Sequence, residues 1–98
     1  MVQATTPTFV LTIADADLTE ADEIIFTLTF GCVTLTKTKA DMTVTEHTLS
    51  VYLTQAETLQ FSRGTAQMQV NWTYANGSRA CTDIVNVDIS PNLHKAVI

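Results

Sequence analysis

Basic residues, glycine, proline and cysteine are all scarce in this chain. Its five Lys and Arg residues are outnumbered by ten Asp and Glu residues, which gives a formal net charge of −5. A protein that binds nucleic acid or anionic lipid needs clustered positive charge to neutralise the phosphates. Because the few basic residues are scattered, we expect neither nucleic acid nor a membrane surface as a partner.

Long apolar runs are also missing. No stretch has the length of a membrane-spanning helix, and Met1 is followed by neither the basic region nor the apolar core of a signal peptide. The sequence therefore predicts a soluble protein that is not exported by that route. With only three Gly and two Pro it also lacks linker segments, so residues 1–98 are predicted to form one domain.

The two cysteines, Cys32 and Cys81, allow two interpretations. A disulfide between them would join distant strands and close a long loop. In a chain without a signal peptide, reduced thiols at the edge of the core are favoured. His47 and His94 have no second His or Cys at the spacing of zinc ligands, so no metal is expected at either.

Threonine, by contrast, is abundant. There are eighteen Thr residues, and their branched Cβ atoms suit a pleated strand. Alternating apolar and polar residues predict seven strands at short, even spacing. The predicted strands comprise residues 8–13, 23–30, 32–37, 42–45 and 48–53, and the two arms of a hairpin within 66–89.

That hairpin has the strongest signal in the chain. Its apolar residues recur with period two on both arms, and Asn76-Gly77 between them is typical of a type I′ turn with two positive φ angles. The apolar set of the two arms comprises Met68, Val70, Trp72, Tyr74, Val85, Val87 and Ile89. Because Trp72 and Tyr74 share the phase of the other apolar residues, we expect them in the core and not in a sugar-stacking platform.

Two segments interrupt the strand pattern. Residues 17–22 predict a turn capped by Thr19, and Thr54 with Glu57 forms a capping box at the start of a single helical turn. In the second turn, Ala56 and Leu59 are expected to cover the end of the core. Together the patterns predict an all-β fold: an immunoglobulin-like antiparallel β-sandwich of about seven strands with one or two single-turn helices.

The sequence contains no constellation of catalytic or cofactor-binding residues. It has no nucleophile elbow, glycine-rich phosphate loop or dinucleotide fingerprint, so neither enzymatic activity nor a cofactor is expected. The acidic run at 15–23 does not match an EF-hand, because Glu20 stands where a glycine is required. It is interpreted as a solvated loop, with a calcium-dependent adhesion domain as an alternative.

Two regions are candidate partner-binding surfaces. Tyr52 faces away from the apolar set of its own strand, which suits an anchor for a protein partner. The chain ends on apolar side chains, which are expected to pack on their own sheet or to add to the sheet edge of a neighbouring subunit. The candidate residues are Tyr52, Leu93, Ala96, Val97 and Ile98.

Several short segments resemble small proteins encoded among the tail and baseplate genes of phages and prophages of Gram-positive bacteria. The similar segments are Asp-Leu-Thr-Glu-Ala at 17–21, Leu-Thr-Gln-Ala-Glu-Thr-Leu at 53–59, Val-Asn-Trp-Thr-Tyr at 70–74, Asn-Gly-Ser-Arg at 76–79 and the ending at 93–98. The layout is also similar to the N-terminal β-sandwich of upper baseplate proteins. No receptor-binding extension follows Ile98, so direct host binding is not expected.

The resemblance implies a virion building block that is assembled in the bacterial cytoplasm. Its expected partners are other phage structural proteins and, because particles repeat their parts symmetrically, further copies of itself in a homo-oligomer. The alternative is a β-sandwich module that binds carbohydrate or a cell surface, which requires an exposed aromatic platform.

Overall fold

Strands dominate the computed structural model, which describes residues 1–98, and the only α-helix is one turn long. The strands are β1 (Thr8–Thr12), β2 (Ala21–Phe30), β3 (Val33–Thr38), β4 (Met42–Val44), β5 (Thr48–Tyr52), β6 (Gly64–Tyr74), β7 (Arg79–Cys81) and β8 (Val85–Ile89). The helix α1 comprises Gln55–Thr58, and two 3₁₀ turns comprise Leu18–Glu20 and Lys39–Asp41.

The strands form two antiparallel sheets. The small sheet has the order β1-β5-β4, and in the large sheet β3-β2-β6 is followed by β7 and β8, which both pair with β6. The inner faces pack together, and the rings of Phe9 in β1 and Phe26 in β2 lie 5.9 Å apart between centroids. The predicted all-β sandwich is confirmed. Immunoglobulin-like domains have the same architecture of two packed sheets, although the strand order varies among them.

One hydrophobic core fills the space between the sheets. Period-two alternation sends apolar side chains inward and Thr, Gln and Asn side chains outward, as the sequence predicts. Burying each Leu, Val or Phe stabilises the fold by roughly 1.5–3 kcal/mol. The largest fully buried apolar side chains are Phe26, Phe61, Leu18, Ile24, Leu28, Leu49, Leu53, Val51 and Val70.

The return arm of the hairpin is split, which is why the structure has eight strands and not seven. Trp72 lies opposite Ala80, but Met68 lies opposite Val85, so the arm carries one residue more than β6 between these two pairs. A bulge at Thr82 absorbs the extra residue. There Thr82 N–H donates to Val70 O at 2.9 Å, and the Thr82 hydroxyl accepts from Val70 N–H at 3.1 Å. The hydroxyl thus replaces a ladder carbonyl.

The turn between β6 and β7 differs from the predicted type I′ turn. Gly77 has φ +86°, whereas Asn76 is not among the residues with positive φ. Tyr74 O accepts from Gly77 N–H at 2.9 Å, and Tyr74 N–H donates to Ser78 O at 3.0 Å. This is a three-residue loop with its glycine in the left-handed position, as in a type I turn with a G1 bulge. The type I′ prediction was wrong.

Each of the three crossings between the sheets contains a short helical turn. The predicted turn in 17–22 is a 3₁₀ turn capped by Asp17, and not by Thr19 as predicted, because Asp17 Oδ1 accepts from Thr19 N–H at 3.0 Å. The turn at Lys39–Asp41 was not predicted. The sequence feature that indicates this turn is Thr38, three residues before Asp41. In the structure the Asp41 carboxylate accepts from Thr38 N–H at 3.1 Å.

Helix α1 makes the third crossing, from β5 in the small sheet to β6 in the large sheet. Its predicted capping box is confirmed, because Thr54 N–H donates to Glu57 Oε1 at 2.9 Å and Glu57 N–H donates to Thr54 Oγ1 at 3.3 Å. The predicted cover of the core was partly wrong: Ala56 is exposed and Leu59 is half-buried, whereas Thr58 is fully buried.

Candidate interaction surfaces

The C-terminal segment, residues 93–98, is fixed by its backbone while its side chains face water. Ile98 N–H donates to Gln55 Oε1 at 2.9 Å, and Gln55 Nε2 donates to Ile98 O at 3.0 Å. Gln55 is the first residue of α1. Nevertheless the Leu93 side chain is fully exposed and that of Ile98 is 90% exposed, and Ala96 and Val97 are exposed as well. The segment therefore contacts α1 of its own chain through hydrogen bonds, but its apolar side chains are not buried there.

The outer face of the small sheet carries the second candidate, Tyr52. Its side chain is 52% exposed, as the strand phase predicts. Val10 on β1 is 65% exposed on the same face, where it lies opposite Ser50. Val10 is not among the candidate residues predicted from the sequence, although its phase, opposite to that of Phe9 and Leu11, marks it as an apolar residue that faces outward.

This outer face is polar but carries no charge on its strands. A shallow hollow of ≈ 340 Å³ lies over β4 and β5, and Asp41 at its rim is the one acidic residue that lines it. The outward residues of the three strands are Thr8, Val10, Thr12, Thr43, Thr48, Ser50 and Tyr52. A face of this composition can pack against protein without burying an unpaired charge.

The outer face of the large sheet is lined mainly by hydroxyl and amide groups. On it Arg79 donates to Asn71 Oδ1 from Nε at 3.3 Å and from Nη2 at 3.0 Å. No aromatic side chain lies on this face. Its strand residues include Thr27, Thr29, Thr34, Thr36, Gln67, Gln69, Asn71 and Thr73.

Trp72 is in the core, as its phase predicts. Its side chain is 5% exposed, and its indole Nε1–H donates to the hydroxyl of half-buried Tyr74 at 3.1 Å. A module that stacks sugars needs an aromatic face in contact with solvent. Trp72 and Tyr74 do not provide such a platform.

The acidic side chains of residues 15–23 do not come together at a common site. Asp17 binds its own loop: Thr19 N–H and the Thr19 hydroxyl both donate to Oδ1, and the hydroxyl bond is the main cause that lowers the pKa of this carboxyl. No group of three or more His, Cys, Asp and Glu side chains has the geometry of a metal site. Asp17 serves as a helix cap.

Both cysteines are free, and both are exposed. Cys32 lies in the tight turn between β2 and β3, where Gly31 has φ +57°, and Cys81 lies on β7. The prediction of thiols at the edge of the core was therefore wrong about their burial. The bulge at Thr82 and the short β7 leave Cys81 on the outer edge of the large sheet.

Comparison of the chain with protein-family models, with curated proteins and with solved structures finds no match.

A bilayer-spanning helix is absent, because no helical segment has sufficient length and apolar character to cross a membrane.

Proposed function

We propose that this chain is a non-enzymatic structural subunit of a phage or prophage particle, associated with the tail or baseplate, that acts through protein–protein contacts. Its partners are other structural proteins of the particle and further copies of itself. The particle is assembled in the bacterial cytoplasm. The type of particle is inferred from the five segments that resemble tail and baseplate proteins.

The observation that carries the proposal is the exposure of the apolar side chains in residues 93–98. Exposed apolar side chains that are scattered singly are ordinary, but a run of them on an ordered backbone is typical of an interaction site. Here the backbone is ordered by the pair of hydrogen bonds between Gln55 and Ile98. A partner therefore meets the segment already positioned, and less conformational entropy is lost on binding.

The test is incorporation into particles. A deletion of the gene is complemented with the wild-type chain or with a Val97→Asp/Ile98→Asp double variant, and particles are purified on a density gradient. We expect mass spectrometry to find the wild-type chain in the particle fraction at a fixed ratio to the tail proteins. The double variant should remain in the free fraction, because charge at a buried contact is costly.

The matched control adds the same charge elsewhere. A Gln60→Asp/Ser62→Asp variant places two acidic residues at exposed positions on either side of buried Phe61, between α1 and β6. We expect it to enter particles as the wild type does. The proposal is contradicted if the wild-type chain is absent from particles, or if the two double variants are incorporated equally.

A further inference from the structure

Strand β1 is the one sheet edge in this protein that has no protection. Edge strands expose unpaired N–H and C=O groups, and proteins guard them with charges, bulges, short length or a covering segment. The sequence of β1, Thr-Phe-Val-Leu-Thr, has no charged residue, and the strand pairs only with β5. Nothing pairs with its other side.

The other three edges are each guarded. Edge strand β3 carries the inward Lys37, which is paired with Glu57. On the opposite edge of the large sheet, β7 and β8 are separated by the bulge at Thr82. Strand β8 carries the charged Asp88, whose backbone O accepts from the N-terminal ammonium group of Met1 at 2.7 Å, and just beyond the strand Gln3 N–H donates to Ser90 O at 3.0 Å. The remaining edge, β4, is only three residues long.

The free side of β1 has a defined set of hydrogen-bonding groups. Pro7 O accepts from Leu53 N–H at 3.0 Å, and Ile13 N–H donates to His47 O at 2.7 Å, so the odd-numbered residues bond to β5. In an antiparallel pair, alternate residues direct their backbone groups to opposite sides. The N–H and C=O groups of Thr8, Val10 and Thr12 therefore point to the free edge.

We infer that β1 is a homodimer interface, in which the β1 strands of two copies pair antiparallel about a two-fold axis at Val10. Val10 then faces Val10 of the second copy, and each Thr8 faces a Thr12. The three pairs supply about six backbone hydrogen bonds and join the two small sheets into one continuous sheet. This inference deepens the proposed function, on which it rests, by naming the surface through which copies associate.

The side chains favour this self-pairing. Val10 is the most exposed large apolar side chain in any strand, and pairing places the two Val10 Cα atoms about 5.5 Å apart, so that each side chain covers the other. Cross-strand Thr pairs and β-branched pairs stabilise a sheet. A two-fold axis matches these groups because Thr8 and Thr12 are equally distant from Val10.

Charge selects the antiparallel orientation. Each copy has a net charge of −5, and much of the acidity lies in residues 15–23, which follow β1. Parallel pairing would bring these acidic loops together. Antiparallel pairing places them at opposite ends of the joint, separated by more than the Debye length of about 8 Å at physiological salt. The strand residues of the shared outer face are uncharged.

The first test is the solution mass by light scattering over a range of concentrations. We expect the wild-type chain to dimerise. Val10→Lys should weaken the dimer roughly a hundredfold, because it sets like charges against each other across the axis. Val10→Thr, the matched control, retains a β-branched uncharged residue and should still dimerise. A wild-type chain that is monomeric throughout, or a dimer that tolerates Val10→Lys, overturns the inference.

The second test locates the axis. In a Cys32→Ser/Cys81→Ser background, Val10→Cys should form a disulfide-linked dimer on mild oxidation, because the expected Cα separation lies within the range of disulfides. Thr43→Cys lies on the same face but on β4, the far edge of the small sheet, and should not crosslink. Equal crosslinking of the two variants contradicts the proposed pairing.

The two proposals fail separately. A chain that enters particles but is monomeric in solution overturns the β1 interface and leaves the structural role standing. A chain that dimerises through Val10 but never enters particles overturns the proposed function and leaves the interface standing. A dimer that is lost on Val97→Asp/Ile98→Asp and kept on Val10→Lys moves the interface from β1 to residues 93–98.

Discussion

The ammonium group of Lys37 contacts both carboxylate oxygens of Glu57, at 2.9 Å from Oε1 and 2.7 Å from Oε2. Lys37 belongs to β3 of the large sheet, whereas Glu57 belongs to α1, which directly follows β5 of the small sheet. Only 16% and 20% of the two side chains are exposed. The same carboxylate accepts from Thr54 N–H, so one group closes the helix cap and joins it to the other sheet.

This ion pair predicts how stability depends on pH. Burial raises the pKa of Glu57, but the hydrogen bonds from Lys37 and from Thr54 N–H outweigh it and hold the pKa below its usual value of 4.5. A carboxyl whose pKa is lower in the folded state stabilises the fold above the unfolded-state pKa, and the stabilisation is lost as pH falls through the folded-state pKa. Lys37→Met should therefore cost about 1 kcal/mol at pH 7 and less at pH 3.

The measurement is the free energy of unfolding in urea at pH 7 and at pH 3, for the wild type and the variant. Comparing the pH dependence of the two chains cancels the contribution of the other carboxyl groups. Lys95→Met, which removes an exposed lysine from the C-terminal segment, should change neither value. Identical losses in the wild type and Lys37→Met between the two pH values would show that Lys37 does not set the pKa of Glu57.

Gly64 is predicted to tolerate substitution less well than Gly31. Both have positive φ, +146° and +57°, which costs a residue with a Cβ about 1 kcal/mol or more. A Cβ at Gly64 would in addition lie 2.9 Å from Phe30 Cε2, whereas a Cβ at Gly31 would meet nothing within 4 Å. Gly64→Ala should thus lower the melting temperature further than Gly31→Ala.

The contribution of the contact with Phe30 can be separated from backbone strain. Phe30→Leu removes the ring edge that the new Cβ would meet, so the Gly64→Ala/Phe30→Leu variant should lose less stability than the two single variants together. Additive losses would mean that Phe30 moves aside freely and that the backbone angle alone disfavours alanine.

The buried hydroxyl of Thr58 is predicted to be structural. It is fully buried and donates to Thr5 O at 2.9 Å, which ties the chain before β1 to α1. Thr58→Val keeps the shape but leaves that carbonyl without its partner, at a cost of about 1–2 kcal/mol in unfolding free energy. The same exchange at exposed Thr36 should change stability by less than about 0.5 kcal/mol. Equal effects would exclude a role for this hydrogen bond.

Tyr74→Phe is predicted to destabilise the protein through Trp72. The indole N–H loses its acceptor while Trp72 stays buried, which costs about 1 kcal/mol. Because Trp72 is the only tryptophan, its fluorescence reports unfolding directly. Tyr52→Phe removes an exposed hydroxyl and serves as the control. A Tyr74→Phe chain as stable as the control would mean that water replaces the tyrosine.

Much of the fold was predictable because burial imposes a period of two on every strand. The inward phase of Trp72 and the outward phase of Tyr52 both follow from their neighbours along the strand. The capping box at Thr54 was equally readable, since all its members lie within four residues. These three local predictions were correct, whereas the cap of the turn in 17–22, also a local feature, was assigned to Thr19 instead of Asp17.

Most of the other errors concern features that are determined by contacts between residues distant in the sequence. The alternation in 84–89 gives no sign that Thr82 supplies a hydroxyl to Val70, and so the break between β7 and β8 was missed. Asn76-Gly77 permits two loop lengths, and pairing of the flanking residues selects the longer. Strand order and the exposure of Cys81 likewise depend on which strands become edges, which the local sequence does not specify. Cys32 is exposed because it lies in the turn between β2 and β3.

If two copies pair through β1 as inferred above, the bulge at Thr82 would also limit how far assembly can grow. A single adhesive edge used about a two-fold axis yields a closed pair, whereas two adhesive edges on opposite sides of a molecule permit an open-ended fibre. Removal of Asp83 would leave Val85 opposite Met68 and restore an unbroken strand, and with it a second adhesive edge. In the inferred dimer, one extra residue would thus keep the assembly finite.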